Sequence, residues 1–270
     1  MPERPGTDKA RLLFHSSNIS DWNHALSEYE RAVSAVAEAK KRPELVQLDK
    51  KWTSELRKLV ESRSPRHILR EELSDIVKWK ILRGRFRPLQ KLVDSNKSPS
   101  VLLNSTKSFE LLRLSDWKGA INSLMSLNGV GVATASAVLA AVEPELCPFM
   151  ADEVIESTTK GERDYTMETY IEMQANLRKK AKELGPKWNA ELVGRALWST
   201  ATVYRYIDCA KGSSTVMKAI KEQIASVSNS NKSSVSGNSS LMTTSTDTRL
   251  TRKRSSPSVS EDTTKKSRLC

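Results

Sequence analysis

Two apolar runs with helical spacing meet at a four-residue turn, Asn128-Gly129-Val130-Gly131, and no other segment restricts the architecture as strongly. Glycine permits a positive φ and has no Cβ that would keep a ligand away from the backbone. The amides of Gly131 and Val132 lie at the start of the second predicted helix, where the helix dipole favours an anion. The turn therefore predicts a site for a phosphate diester, and the alternative is a plain connector between two helices.

Helical periodicity continues through most of the chain before residue 225. Apolar residues recur at intervals of three and four, and the sequence has no Val/Ile-rich alternating stretch that would indicate a strand. We therefore expect an all-α fold, a multi-helix bundle over residues 19–225 that follows a flexible N-terminus at 1–18. The predicted helices span 20–39, 44–61, 70–82, 88–95, 99–114, 116–127, 132–142, 152–159, 166–184 and 188–209.

Residues 226–270 consist largely of Ser, Thr, Asn and charged side chains. Such a composition buries too little apolar surface to offset the entropy of ordering, so this segment is expected to be a disordered tail. It holds two basic clusters separated by ten residues, which resemble a bipartite nuclear localisation signal read by an importin. Nuclear location is therefore expected, and nonspecific contact with a polyanion is the alternative. The residues of the two clusters are Lys253, Arg254, Lys265, Lys266 and Arg268.

The chain carries a formal net charge of +12, shared between the predicted domain and the tail. A basic domain with a basic tail is typical of a nucleic-acid binder, although an anionic membrane surface or an acidic protein would also suit this charge. The sequence has no signal peptide and no apolar run long enough for a membrane span, which predicts an intracellular protein without a membrane partner. Three scattered cysteines, Cys147, Cys209 and Cys270, fit a reducing compartment and no metal cluster, so no cofactor or metal is expected.

A basic segment with two aromatic residues lies at 78–88, before the glycine turn. Arg83, Arg85 and Arg87 are candidates for contacts with DNA phosphates, and Phe86 or Trp79 could stack on an exposed base. The alternative is structural, because Trp79 lies one helical turn after Ile76 and cations near a helix C-terminus complement the dipole.

The stretch 127–139 resembles the helix-hairpin-helix motif, in which Leu-x-Gly-Val-Gly precedes a helix of small residues. Asp152 lies 21 positions after Gly131, behind Pro144 and Pro148. This order is similar to that of the DNA glycosylase superfamily named for the hairpin, a Gly/Pro-rich loop and a catalytic aspartate, and the chain resembles a eukaryotic relative of it. The resemblance implies that the duplex backbone is held, without sequence readout, at Asn128, Gly129, Gly131 and Val132.

For Asp152, the resemblance implies a catalytic role once a base has been flipped from the stack. The carboxylate would stabilise the positive charge that develops on the sugar and help to activate water. Its position in the sequence also predicts an N-cap for a helix that begins at Glu153, and one aspartate can fill both roles. Superfamily members that also cleave the DNA backbone carry a lysine where this chain has Ala133, so the resemblance implies a monofunctional glycosylase without a lyase step from that position.

Three functions stay open from the sequence. The first is a monofunctional DNA N-glycosylase, and the second is a DNA-binding descendant that keeps the fold without the chemistry. Two departures from the superfamily bear on this choice, since Asn128 replaces the usual Pro of the hairpin and Phe149 to Glu153 replace the usual Val-Asp-Thr-His. The third is a protein-interaction scaffold, which a buried Asp152 bonded only to its own helix would favour. An Asp152 that faces an open cleft beside the glycine turn would favour the DNA-binding functions.

Overall fold

The computed structural model describes residues 4–160 and 163–209, and every regular element in these ranges is helical. The all-α prediction is confirmed, while the predicted domain end at 225 and the tail at 226–270 lie outside the described residues. Two π-helical turns are present, Lys51–Glu55 between the α-helices at 44–50 and 56–61, and Tyr204–Asp208 after the α-helix at 190–203. The α-helices are α1 (Thr7–His15), α2 (Ile19–Ser27), α3 (Tyr29–Ala39), α4 (Glu44–Lys50), α5 (Leu56–Glu61), α6 (Arg70–Arg83), α7 (Gln90–Asp94), α8 (Ser98–Arg113), α9 (Trp117–Met125), α10 (Val132–Val142), α11 (Asp152–Thr158), α12 (Met167–Leu184) and α13 (Ala190–Val203).

The helix predicted over 20–39 is divided into α2 and α3. Glu28 is both the C-cap of α2 and the N-cap of α3, with φ −78° and ψ −2°. Both helices pack against α13, so the bend at Glu28 lets two short helices follow the surface of a third. Periodicity alone could not show this bend because the apolar spacing continues across it.

Residues 7–15, predicted as part of a flexible N-terminus, form α1 and belong to the packed domain. Ala10 and Leu13 are buried, and α1 packs against α11 and α13. The hydroxyl of Thr7 donates to the buried Glu156 carboxylate at 2.8 Å. Gly6 has φ 90° and lies so close to Ala201 that a Cβ there would be 2.4 Å from the Ala201 carbonyl oxygen. The prediction for this segment is therefore corrected, since its few apolar residues are enough to anchor it.

The second helix of the glycine turn, α10, lies in the middle of the core. All eleven of its residues are buried, and it contacts α5, α6 and α9. The indole nitrogen of Trp52 donates to the Ala137 carbonyl at 2.8 Å. A helix that is apolar on every side belongs in a protein interior, yet Gly131 at its start is exposed. None of the described helices is long and apolar enough to cross a membrane.

Candidate functional site

The glycine turn, residues 128–131, uses its two glycines differently. Gly129 has φ 74°, and a Cβ there would lie 2.9 Å from Val93 Cγ2 and 3.0 Å from Leu92 Cβ. Gly129 is therefore required both by its backbone conformation and by close packing against α7. Gly131 has φ −105° and ψ −176°, and a Cβ there would meet nothing within 4 Å. The absence of a side chain at Gly131 leaves open space in front of the backbone.

The turn is fixed by Asn96, a residue that sequence reasoning missed. The Asn128 amide donates to Asn96 Oδ1 at 2.9 Å, and Asn96 Nδ2 donates to the Asn128 carbonyl at 3.0 Å. Asn96 is only 6% exposed, so this pair is protected from water. The main chain of Asn128, predicted as a DNA contact, is occupied by this pair, whereas its side chain is exposed.

The first amides of α10 have no protein acceptor within the described ranges. No side chain caps this helix, and its backbone bonds begin with the amides of Thr134 and Ala135, which donate to the Gly131 carbonyl at 2.9 Å. The amides of Gly131 and Val132 are thus available at the positive end of the helix dipole. The helix start lies where the sequence predicted it, and the anion site itself stays a prediction.

A groove of about 710 Å³ runs beside the turn, and we call it the turn groove. Lys80 and Arg87 lie on its wall together with Tyr165. Two cationic side chains therefore share the groove with the amide end of α10. Their charge reinforces the helix dipole in favouring an anion. The other residues that line the groove are Leu89 and the backbone and side chains of 129–134.

A second space, the Asp152 pocket, has a volume of about 510 Å³ that includes open solvent. Lys80, Arg87 and Tyr165 line this pocket as well as the turn groove, so the two spaces adjoin. The pocket wall also includes Arg83 and Asp152.

Asp152 reaches this pocket because the preceding loop is tied to three helices. The Met150 amide donates to Ser136 on α10 at 3.0 Å, and the Phe149 amide donates to Glu191 on α13 at 2.7 Å. From α12, Gln174 donates to the Leu146 carbonyl at 2.6 Å. The loop that the sequence identified by its prolines is therefore a rigid support for the start of α11.

Asp152 is the first residue of α11, and the N-cap position belongs to Ala151 without a side-chain cap bond. The predicted N-cap role of Asp152 is therefore wrong, because its carboxylate bonds to side chains outside α11 and to none of the helix amides. It accepts a hydrogen bond from the Tyr165 hydroxyl at 2.5 Å and pairs with the Arg4 guanidinium. The side chain is 12% exposed. Arg4 lies 148 positions from Asp152 and Tyr165 lies 13 positions from it, beyond the end of α11, so no helical spacing pointed to them.

Glu153 lies behind Asp152 and completes a buried charge cluster. Arg4 and Arg205 bind its carboxylate at 3.0 and 2.8 Å. Burial raises the pKa of Glu153, but Arg205 and Arg4 outweigh it, and the pKa lies below its usual range. Burial beside Asp152 raises the pKa of Tyr165. The Tyr165 hydroxyl therefore stays a hydrogen-bond donor to Asp152.

The three predicted arginines of the basic segment have different surroundings. Arg85 and Arg87 are exposed, and the Arg87 guanidinium lies 4.9 Å from the centre of the Tyr165 ring. Arg83 is only 6% exposed, and its guanidinium is enclosed by aromatic rings. The ring centres lie 3.8 Å away for Trp198, 5.0 Å for Trp79, and 5.5 Å for both Tyr29 and Phe149. Arg83 is thus part of the pocket wall and not of an open surface.

The two aromatic residues of the basic segment also differ in their surroundings. Trp79 is fully buried and donates to the buried Asp49 carboxylate at 2.8 Å, so the stacking role considered for it is wrong. Phe86 is 75% exposed between Arg85 and Arg87. The start of this loop is held by Lys40, whose amine donates to the carbonyls of Leu82, Arg83 and Gly84 at 2.9, 3.1 and 2.6 Å.

Comparison with protein-family models gives no match for this chain, and neither curated proteins nor solved structures give one. The predicted import signal at Lys253, Arg254, Lys265, Lys266 and Arg268 lies outside the described residues.

Proposed function

We propose that this chain is a duplex-DNA-binding protein of the helix-hairpin-helix glycosylase type. In this proposal the turn groove holds a backbone phosphate and the Asp152 pocket receives an extruded nucleotide. The observation that carries it is that the two spaces adjoin and share Lys80, Arg87 and Tyr165. A nucleotide and its neighbouring phosphate are covalently linked, so a site for both needs two spaces in contact.

The phosphate step is supported by the start of α10. The amides of Gly131 and Val132 have no protein acceptor within the described ranges, and a Cβ at Gly131 would meet nothing within 4 Å, so a phosphate oxygen there would gain the helix dipole. Lys80 and Arg87 line the same groove and add positive charge. None of these groups reads a base edge, so the binding would be independent of sequence.

The base-excision step is supported by Asp152. Each carboxylate oxygen has further lone pairs beyond those used by Tyr165 and Arg4. These lone pairs are available to a sugar that becomes positively charged as its base departs, and to the water that attacks it. The exposed Phe86 ring on the neighbouring loop could fill the gap that an extruded nucleotide leaves in the duplex.

The scaffold alternative is less well supported by the same residues. It calls for an Asp152 bonded only to its own helix, whereas Asp152 bonds to Tyr165 and Arg4 and lines an open pocket. A DNA-binding descendant without chemistry is the outcome in which the protein binds duplex but releases no base. Importin recognition and nuclear location belong to the proposal through the basic clusters of the tail.

Gly131→Asp tests the role of the turn. It places a negative charge in the proposed phosphate position, and we expect duplex affinity to fall at least tenfold with no change in sequence preference. Affinity of the unaltered protein should fall as salt rises, with a log–log slope of about −0.9 for each phosphate neutralised. Fluorescence anisotropy with a labelled duplex measures both effects.

Ser34→Asp is the matched control, because Ser34 is exposed on α3 and lines neither space. It adds the same charge and should leave affinity within about twofold, as expected for one screened surface charge. Duplex binding that ignores both salt and Gly131→Asp would remove the turn from the mechanism. An equal loss of duplex affinity in the two variants would show that Gly131→Asp acts only through the overall charge of the protein.

A further inference from the structure

Lys80 occupies the boundary between the two spaces of the site. It lies on α6, is half-buried, and lines both the turn groove and the Asp152 pocket. Other partly buried lysines are engaged, as Lys40 is with three carbonyls and Lys180 with Glu183. Within the described ranges, the Lys80 amine has neither a hydrogen bond nor an ion pair. An amine with no hydrogen-bond or ion-pair partner therefore lines the space that would hold a nucleotide in the proposed function.

The surroundings of Lys80 shift its protonation equilibrium toward the uncharged amine, while the ammonium form still predominates at neutral pH. Burial lowers the pKa of the Lys80 amine to about 8, the Arg87 guanidinium acts in the same direction, and Asp152 opposes them. Desolvation and a neighbouring cation are the two conditions that turn a lysine into a nucleophile toward a carbonyl carbon. An ordinary lysine, with a pKa near 10.4, is almost wholly protonated at neutral pH.

We propose that Lys80 forms a Schiff base with an aldehyde sugar held in the Asp152 pocket, and that the ligand is the ring-opened abasic site of DNA. This inference rests on the proposed function, because base loss in this pocket would generate that aldehyde. It also changes the expectation for strand cleavage. Ala133 cannot supply an amine, but Ala133 and Lys80 line the same groove, so an amine reaches this region from α6.

The proposed step balances with water as its only co-reactant. The Lys80 nitrogen adds to C1′ of the sugar aldehyde, the carbonyl electron pair moves to oxygen, and loss of water leaves an iminium ion. A base then removes a C2′ proton, and that C–H electron pair forms a carbon–carbon double bond. The C3′–oxygen bond breaks as the 3′ phosphate leaves with its electron pair. Hydrolysis of the conjugated imine returns the amine, and the Asp152 carboxylate is available in the pocket to accept the C2′ proton.

Reductive trapping on preformed abasic DNA tests this inference without any lesion chemistry. The full chain is mixed with abasic duplex, and separately with abasic single strand, in the presence of sodium borohydride. We expect a covalent adduct that peptide mass spectrometry assigns to Lys80. Lys80→Met and Lys80→Arg should each lower the trapping rate at least a hundredfold, while Lys80→Arg keeps duplex affinity because it keeps the charge. Lys78→Met, an exposed position on the same helix, should leave trapping unchanged.

The pH profile separates a nucleophile from a merely positioning residue. The free amine reacts, so trapping should rise as pH increases through about 8 and then level off. A lysine of ordinary pKa would continue to gain up to about pH 10. Rescue of trapping by Lys80→Arg would assign Lys80 to electrostatic positioning and overturn the proposal.

The remaining outcomes are also decisive. No adduct with either abasic substrate, or an adduct that persists in Lys80→Met, would overturn the inference even if intact duplex is bound. A Lys80 adduct with single strand but no affinity for intact duplex would support the amine and contradict the proposed function. The melting temperature of Lys80→Met should equal or exceed that of the unaltered protein, since a half-buried ammonium is removed. Lost trapping in a variant with unchanged melting is then a chemical effect.

Discussion

The Asp152 carboxylate is oriented by two side chains from outside its own helix. Tyr165 precedes α12 and donates to one carboxylate oxygen at 2.5 Å, and Arg4 precedes α1 and pairs with the other. Arg4 is itself anchored by Glu153. The carboxylate is therefore held in one direction by groups that do not depend on a bound substrate, which is the condition for electrostatic preorganisation.

Asp152→Asn should abolish base release and spare duplex binding. It removes the charge that stabilises the sugar cation but keeps the size of the side chain, and we expect single-turnover release to fall a hundredfold or more. Tyr165→Phe removes only one hydrogen bond and should lower the rate of base release about tenfold. Release of free base from a panel of damaged and mismatched duplexes measures both effects.

Asp164→Asn is the control for this series, because Asp164 is an exposed carboxylate next to Tyr165. It should leave release unchanged. Release that survives Asp152→Asn would remove Asp152 from the chemistry. Tight duplex binding with no release by the unaltered protein on the whole panel would leave the non-catalytic descendant as the function.

Among the elements, the α9–α10 pair shows how a short turn is specified by a distant helix. Gly129 packs against Leu92 and Val93, and Asn96 closes the turn through two hydrogen bonds with Asn128. The segment from α7 to Asn96 is thus a template for the turn. Without it, the first amides of α10 would not be held beside the turn groove.

Gly129→Ala and Gly131→Ala should differ in stability although both add one methyl group. At Gly129 the left-handed backbone costs about 1–2 kcal/mol for an L-residue, and contacts with Leu92 and Val93 add to this cost. At Gly131 the backbone is extended and a Cβ would meet nothing within 4 Å, so the free energy of unfolding should change by less than about 0.5 kcal/mol. Thermal and urea unfolding measure the difference, and equal melting temperatures would contradict the template role of α7.

The elements that the sequence predicted well are those specified by local patterns. The glycine spacing located the start of α10, and the apolar spacing gave α6 nearly to the residue. Arg83 was misjudged because its neighbours are cations, yet it lies four residues after the buried Trp79 and so shares its face. That spacing was a usable signal. For Arg4, Lys40 and Asn96 there was none, because their partners are tens of residues or more away and only tertiary packing brings them together.

At the scale of the whole molecule, the domain and the tail have a net positive charge in common. The net charge of +12 covers both parts, and the proposed phosphate site needs only a few of these cations. The remaining positive charge would raise the rate of encounter with any polyanion, and its effect would weaken as salt screens it. Location in the cell is therefore a property to be tested apart from DNA affinity.

Replacing Lys253, Arg254, Lys265 and Lys266 with alanine should move a tagged protein from nucleus to cytoplasm. The change removes both basic clusters that an importin would bind. Because the chain has a mass of only 30.2 kDa, the protein is fused to a large inert partner that prevents passive entry. Lys232→Ala with Arg249→Ala is the control, since it removes two tail cations outside the clusters. Unchanged nuclear fluorescence of the quadruple variant would show that these clusters are not a nuclear localisation signal.

The position of α10 has a consequence for how protection against hydrogen exchange is distributed. Its central amides lie in a wholly buried helix and would open only with the domain, whereas its first amides have no acceptor within the described part of the chain. We therefore expect slowly and rapidly exchanging amides within a few residues of one helix. A phosphate bound at the turn should therefore slow hydrogen exchange at the amides of Gly131 and Val132. The hydrogen-bonded amides one helical turn further along α10 serve as the internal reference.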